Sequence, residues 1–218
     1  MGEVRLYAVG IAEVRGIVGA PAATADHLRG IASRAFAPDP GPARSGLLGR
    51  LGPIFRRVPA APVVLTTDPE PADVETLLTG AYVPPGRAGA TWRVLETLVC
   101  GTAWGSTRMS LTAAGLDDLD FDLARGGVPA SAGLRHLLGT TTSMPLVPVT
   151  GLDVGWARYE QVLAMATAYR QALPGLETEA HRALVAALTS WLDGFLPWAS
   201  AAGSLGRAVP DLVGFWAH

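Results

Sequence analysis

Two glutamates stand where a carboxylate could do acid or base work beside a large apolar ring. Glu96 falls four residues after Trp92, on one face of an expected helix, and Glu160 sits in the run that carries Trp156 and Tyr159. Burial next to an indole disfavours a carboxylate anion and lifts its pKa toward neutrality, which permits proton transfer without a metal. Together with Arg108, these residues describe a tryptophan-lined pocket with few polar anchors, suited to a hydrophobic small molecule. Trp92, Trp104, Trp156, Trp191, Trp198 and Trp216 have a plainer reading as core anchors, each burying a large area and asking for one hydrogen-bond partner.

Other chemistries lack the residues they need. The chain has 17 basic residues, every one an arginine, and it has neither lysine nor asparagine. Without a lysine there is no internal aldimine, no phosphate-loop lysine and no lysine general base. Neither a GxSxG nucleophile elbow nor a GxGxxG dinucleotide fingerprint occurs. The aspartates Asp117, Asp118, Asp120 and Asp122 lack the sixth-position glycine and twelfth-position glutamate of a calcium loop, and the four histidines form no zinc spacing. Cys100 follows the apolar helical run Leu95, Leu98, Val99 and reads as a buried, inert thiol. No metal and no cofactor is expected.

Composition bounds the rest. With 49% hydrophobic and 17% charged residues in 218 positions, the chain can bury a sizeable core as one domain. A net charge of −2 gives no pull toward nucleic acid or anionic lipid. The single cysteine fits a reducing cytoplasm, and Glu3 and Arg5 interrupt the place where a secretory signal would need its apolar stretch. The apolar stretch from Ala183 to Ala202 is broken by Asp193, Gly194 and Pro197, so no stable membrane insertion is expected. So few surface ions resist self-association poorly, which admits a homo-oligomer.

The elements that would position these residues read as α+β, a predominantly helical single domain over 1–218 with a small mixed or antiparallel sheet. Val4–Val9 reads as a strand, followed by a short helix at Ile11–Val18 and a second helix capped by Thr24. A loop insert rich in proline, glycine and arginine occupies about 37–62. Val63–Thr66 suggests a strand; Asp68-Pro69 opens a helix that stops at Gly80; Thr91 caps the helix that carries Trp92 and Glu96. The alternation through Asp118–Leu123 suits a half-buried strand, with a helix starting near Leu116 as the competitor. A short helix is expected over Ser131–Leu138, and a proline-bounded edge strand or linker over Pro145–Val149. Trp156, Tyr159, Leu163, Ala166 and Arg170 share helical spacing, Thr178 caps a further helix, and Asp211–Trp216 closes the chain as a strand or docked tail.

Three segments carry a family resemblance: Leu6-Tyr7-Ala8-Val9 with Val14 to Gly19, Leu77 to Gly80 with Trp92 to Leu98, and Leu212 to Trp216. In order and spacing they resemble the YfbM-like group of small bacterial α+β proteins, domains of unknown function with actinobacterial members. The resemblance implies an intracellular, mostly helical α+β domain and assigns no catalytic residue. With no nucleophile and base paired in sequence, the leading expectation is a binding protein that recognises an unidentified protein partner or a hydrophobic small molecule. Its partner-binding surface would combine Arg50, Arg56 and Arg57 with Trp198 and Trp216. The rival expectation is a cofactor-independent enzyme that uses Glu96 or Glu160.

Overall fold

A computed structural model describes residues 2–37 and 68–218. Four strands, β1 (Glu3–Val9), β2 (Gly105–Ser110), β3 (Leu152–Ala157) and β4 (Asp211–Ala217), form one sheet in the order β2-β1-β4-β3, antiparallel throughout. The central strands β1 and β4 are the first and last of the chain. β4 is apolar after Asp211 and β1 is apolar apart from Glu3 and Arg5, because both faces of these strands are largely buried.

The alternation of β1 divides its side chains between two cores. Tyr7 and Val9, with Val213 and Phe215 of β4, face α1 (Ile11–Arg15), α2 (Ala22–Ala35), α3 (Pro71–Thr79) and α4 (Ala88–Thr102). Val4, Leu6 and Ala8, with Leu212 and Trp216, face α5 (Ala113–Arg125), α6 (Leu134–Leu138), α7 (Tyr159–Ala172), α8 (Glu179–Leu192) and α9 (Phe195–Ser204). The α+β class and the small antiparallel sheet are as expected from the sequence, and helices on both faces make the domain three layers deep.

Several local expectations are corrected. Residues 118–123 are helical, not a strand: Leu116, Leu119 and Leu123 recur at helical spacing and are buried, whereas Phe121 is 67% exposed. Thr112 caps this helix by accepting from Gly115 N at 3.0 Å. Thr24 and Thr91 lie inside α2 and α4 rather than at their caps, and the Thr91 hydroxyl donates to the Arg87 carbonyl at 3.0 Å. Trp156 belongs to β3, since the helix that carries Tyr159 begins only at Tyr159. Thr178 does cap α8, accepting from His181 N at 3.0 Å. The expected strand at 63–66 and the arginine-rich insert lie outside the described residues.

Helix α3 stops at Gly80, which takes the left-handed conformation at φ 66° and lies against Gly19. Its amino end is held by Asp73, whose Oδ2 accepts from Glu70 N at 2.7 Å and whose Oδ1 accepts from Arg87 Nε at 3.0 Å. Burial alone would raise the Asp73 carboxyl, but the Arg87 guanidinium and the Glu70 N–H outweigh it and hold the pKa below its ordinary 3.8. A depressed pKa contributes stability above the ordinary value, and that contribution is lost as pH falls through the folded value. Asp73→Asn is therefore expected to cost about 1–3 kcal/mol at neutral pH. Chemical denaturation at pH 7 and pH 3 should show the wild-type advantage shrinking in acid.

Candidate functional site

The residues picked out in the sequence separate into two places. On the face covered by α4, Glu96 is buried and accepts from the Tyr7 hydroxyl at 2.9 Å. Arg5 Nε lies 2.8 Å from the same carboxylate oxygen, yet its N–H is not aimed along that line and makes no hydrogen bond. Burial raises the Glu96 carboxyl above its ordinary value, against the opposing pull of Arg5 and Tyr7. Burial, followed by the Glu96 charge, pushes the Tyr7 phenol well above its own ordinary value.

Arg5 and Tyr7 form part of the wall of a groove of about 400 Å³, which they share with Glu3, Cys100, Ser106 and Arg108. Glu96 stands behind them and does not line the groove. Its carboxylate positions Arg5 and Tyr7 rather than meeting a ligand. Arg108 pairs in register with Arg5 across β1 and β2. Cys100 is exposed, contrary to the buried thiol expected from its apolar neighbours, because it falls on the solvent side of α4.

Trp92 is buried at the same level of the core, edge-on to Phe215 at 6.4 Å, and its indole N–H donates to the Val147 carbonyl at 2.8 Å. It packs the interior and lines neither the groove beside Arg5 nor the cavities beside Trp156. Trp216 is 1% exposed, which removes it from any partner surface. Trp198 is half-buried in an aromatic cluster with Trp191 and Phe195 at 5.8 and 5.5 Å. Arg50, Arg56 and Arg57 fall outside the described residues.

Trp156, Tyr159 and Glu160 do come together. Trp156 lies one residue before the end of β3, and its indole N–H donates to the Thr141 carbonyl at 3.0 Å. The guanidinium groups of Arg15 and Arg158 lie 5.4 and 6.0 Å from its ring centroid. A cavity opens on each flank of this ring. One, of about 460 Å³ at the end of the sheet, is bounded by Ile11, Tyr159, Glu160, Val209 and Asp211. Asp211 there accepts from Ile11 N at 2.9 Å and Tyr159 N at 3.2 Å, tying the starts of α1 and α7 to β4. Burial raises its carboxyl, and these two N–H groups partly offset the rise.

The second cavity, of about 260 Å³, lies along the β3 edge between α6 and α7. Leu137, Met165 and the Trp156 ring supply its apolar wall, and Ser131, His136, Thr140, Arg158 and Gln161 supply its polar groups. Sequence reading singled out none of these five as ligand contacts. The spacing of Arg158 and Gln161 carried a signal, since Gln161 Oε1 accepts from Arg158 N at 2.8 Å in the manner of a residue closing the first turn of a helix. Among the described residues no group of three or more His, Cys, Asp or Glu side chains could hold a metal ion. None of the described helices is long and apolar enough to cross a membrane.

Fold and site together define a three-layer α+β domain with two cavities beside Trp156 on the β3 side of an antiparallel sheet and a groove on the β2 side. A family model described as a domain of unknown function, DUF7691, matches residues 55–217, and the chain belongs to that family. No curated protein and no solved structure matches the chain. The matched span contains α3 to α9, β2 to β4 and every residue that lines the β3-edge cavity; β1, α1 and α2 precede it.

Proposed function

We propose that this is a small-molecule-binding domain of the cytoplasm, with the ligand held against Trp156. The observation that carries the reading is the pair of cavities that share the Trp156 ring as a wall. Indole faces give a large, rigid contact area at little entropic cost, and a few polar groups beside them fix orientation. The neutral probe N-phenyl-1-naphthylamine, whose fluorescence rises on leaving water, should bind saturably at one site. Trp156→Leu should weaken it about tenfold, the loss of roughly 1.4 kcal/mol of contact. Non-saturable binding, or an affinity unmoved by the substitution in a folded protein, overturns the reading.

A catalytic alternative is favoured by one observation: Glu160 lies in the wall of the sheet-end cavity beside Tyr159. A carboxylate there could exchange a proton with a bound substrate. For any reaction assigned to this protein, the alternative requires Glu160→Gln to abolish turnover while leaving probe affinity in place.

A further inference from the structure

We infer that the ligand of the β3-edge cavity is an anion with an apolar body, its carboxylate or phosphate group held by Arg158 and Gln161 while its body packs on Trp156 and Met165. This rests on the binding reading above and names the ligand class for that site. The cavity of about 260 Å³ has no carboxylate in its lining. All of its polar side chains except Thr140 have a donor to offer. Arg158 makes no ion pair within 4 Å among the described residues, although its charge also acts on Asp211 across the adjoining cavity; its guanidinium lies 6.0 Å from the centroid of the Trp156 ring. Gln161 commits its oxygen to Arg158 N, which leaves the amide N–H groups as what it can offer. The Ser131 hydroxyl and the His136 ring have no partner among the described residues.

Thr140 differs, because its hydroxyl donates to the His136 carbonyl at 3.0 Å and so presents lone pairs alone. It fits a protonated or hydroxyl-bearing edge of the ligand body. The lining holds one permanent positive charge and the Gln161 amide N–H groups, a Ser131 hydroxyl and an imidazole that can each donate or accept, and in Thr140 one hydroxyl limited to accepting. Charge-assisted hydrogen bonds from a guanidinium to an oxyanion are about twice as strong as neutral ones, and the planar fork suits both carboxylate and phosphate.

The test pairs two probes with the same fused rings, neutral N-phenyl-1-naphthylamine and anionic 1-anilinonaphthalene-8-sulfonate, titrated into the full chain at neutral pH. The anion should bind about tenfold tighter. Arg158→Gln should remove that advantage and leave the neutral probe within twofold. Because the Arg158 side chain is exposed and outside the described hydrogen-bond network, its melting temperature should hold. Gln161→Glu keeps the acceptor for Arg158 N while adding a negative charge, and it should weaken the anionic probe alone. Displacement by phenylacetate and by phenyl phosphate distinguishes a carboxylate from a phosphate ligand, with phenylacetamide as the neutral control that should displace neither probe selectively.

Equal affinity of the two probes, or equal loss of both in Arg158→Gln, overturns the anion assignment while leaving the Trp156 reading intact. Loss of neutral-probe binding with no dependence on Trp156 overturns the underlying reading instead.

Discussion

Gly155→Ala is expected to abolish folding or to lower the melting temperature by roughly 6–12 °C, the shift that about 3 kcal/mol produces in a domain of this size. A Cβ at position 155 would lie 1.8 Å from the Leu137 carbonyl oxygen and 2.9 Å from Leu138 Cα. Both are backbone atoms, so no side-chain rotation relieves the clash. Helix α6 rests directly on β3 at this point, and its place there depends on the missing side chain. Gly214, which pairs with Gly155 in register, gives the internal control. A Cβ there would meet methyl groups of Leu138 and Leu6 at 3.2 Å, which side-chain adjustment can accommodate, and its cost should stay near 1 kcal/mol. The substitution also reaches the site, since α6 carries His136 and Leu137 into the cavity wall. Thermal melts of the two variants side by side decide the matter: a Gly155→Ala protein as stable as Gly214→Ala would mean that α6 does not lie against the sheet as described.

Legibility in the sequence followed periodicity. Apart from Arg5 and Asp211, Val4–Val9 and Asp211–Trp216 are apolar on both faces, so the first reads as a strand and the second as a strand or docked tail without help from their partners, and Gly80 and Thr178 mark helix ends through their own backbone and side-chain chemistry. Asp118–Leu123 misled because Leu119, Phe121 and Leu123 alternate with aspartates. A two-residue period and a helical one share Leu119 and Leu123, and only the exposure of Phe121 separates them. β2 was invisible: Gly105–Ser110 is an edge strand with one buried side chain, Met109, and hence no apolar alternation to read. Trp156 was assigned to a helix because Tyr159 and Leu163 continue its spacing, whereas the strand that holds it is fixed by pairing with β4 more than fifty residues away. For the site, Trp156, Tyr159 and Glu160 were found together because they are neighbours in sequence. The polar groups from Ser131 to Thr140 reach the same cavity only through the packing of α6 on β3, and that packing depends on a glycine whose importance no local pattern announces.

Removing the carboxylate at position 96 has the second large expected effect. Glu96→Leu leaves the Tyr7 hydroxyl without its acceptor and the Arg5 guanidinium with only the more distant Glu3 carboxylate, 3.8 Å away, as counter-charge. Breaking a buried pair from one side costs about 3–5 kcal/mol. The Arg5 side chain keeps 30% of its surface in contact with solvent, which moderates the loss, and about 2–3 kcal/mol is expected. Glu96→Gln retains an oxygen for Tyr7 and should lose about 1 kcal/mol. The two variants also differ from wild type in pH dependence. A carboxyl whose folded pKa is raised contributes stability that is fully present below its ordinary value of 4.5 and is lost as pH rises through the folded value. Denaturation midpoints of the wild type should therefore decline across that window by an amount that is absent in Glu96→Gln. The double variant Arg5→Leu with Glu96→Leu removes both charges, and because a buried ion pair returns little net stability over apolar side chains of similar size, it should recover most of what the single Glu96→Leu change loses. Additive losses in the double variant would show that Glu96 acts on something other than Arg5. Groove contacts made by Arg5 and Arg108 would then be the first place to look.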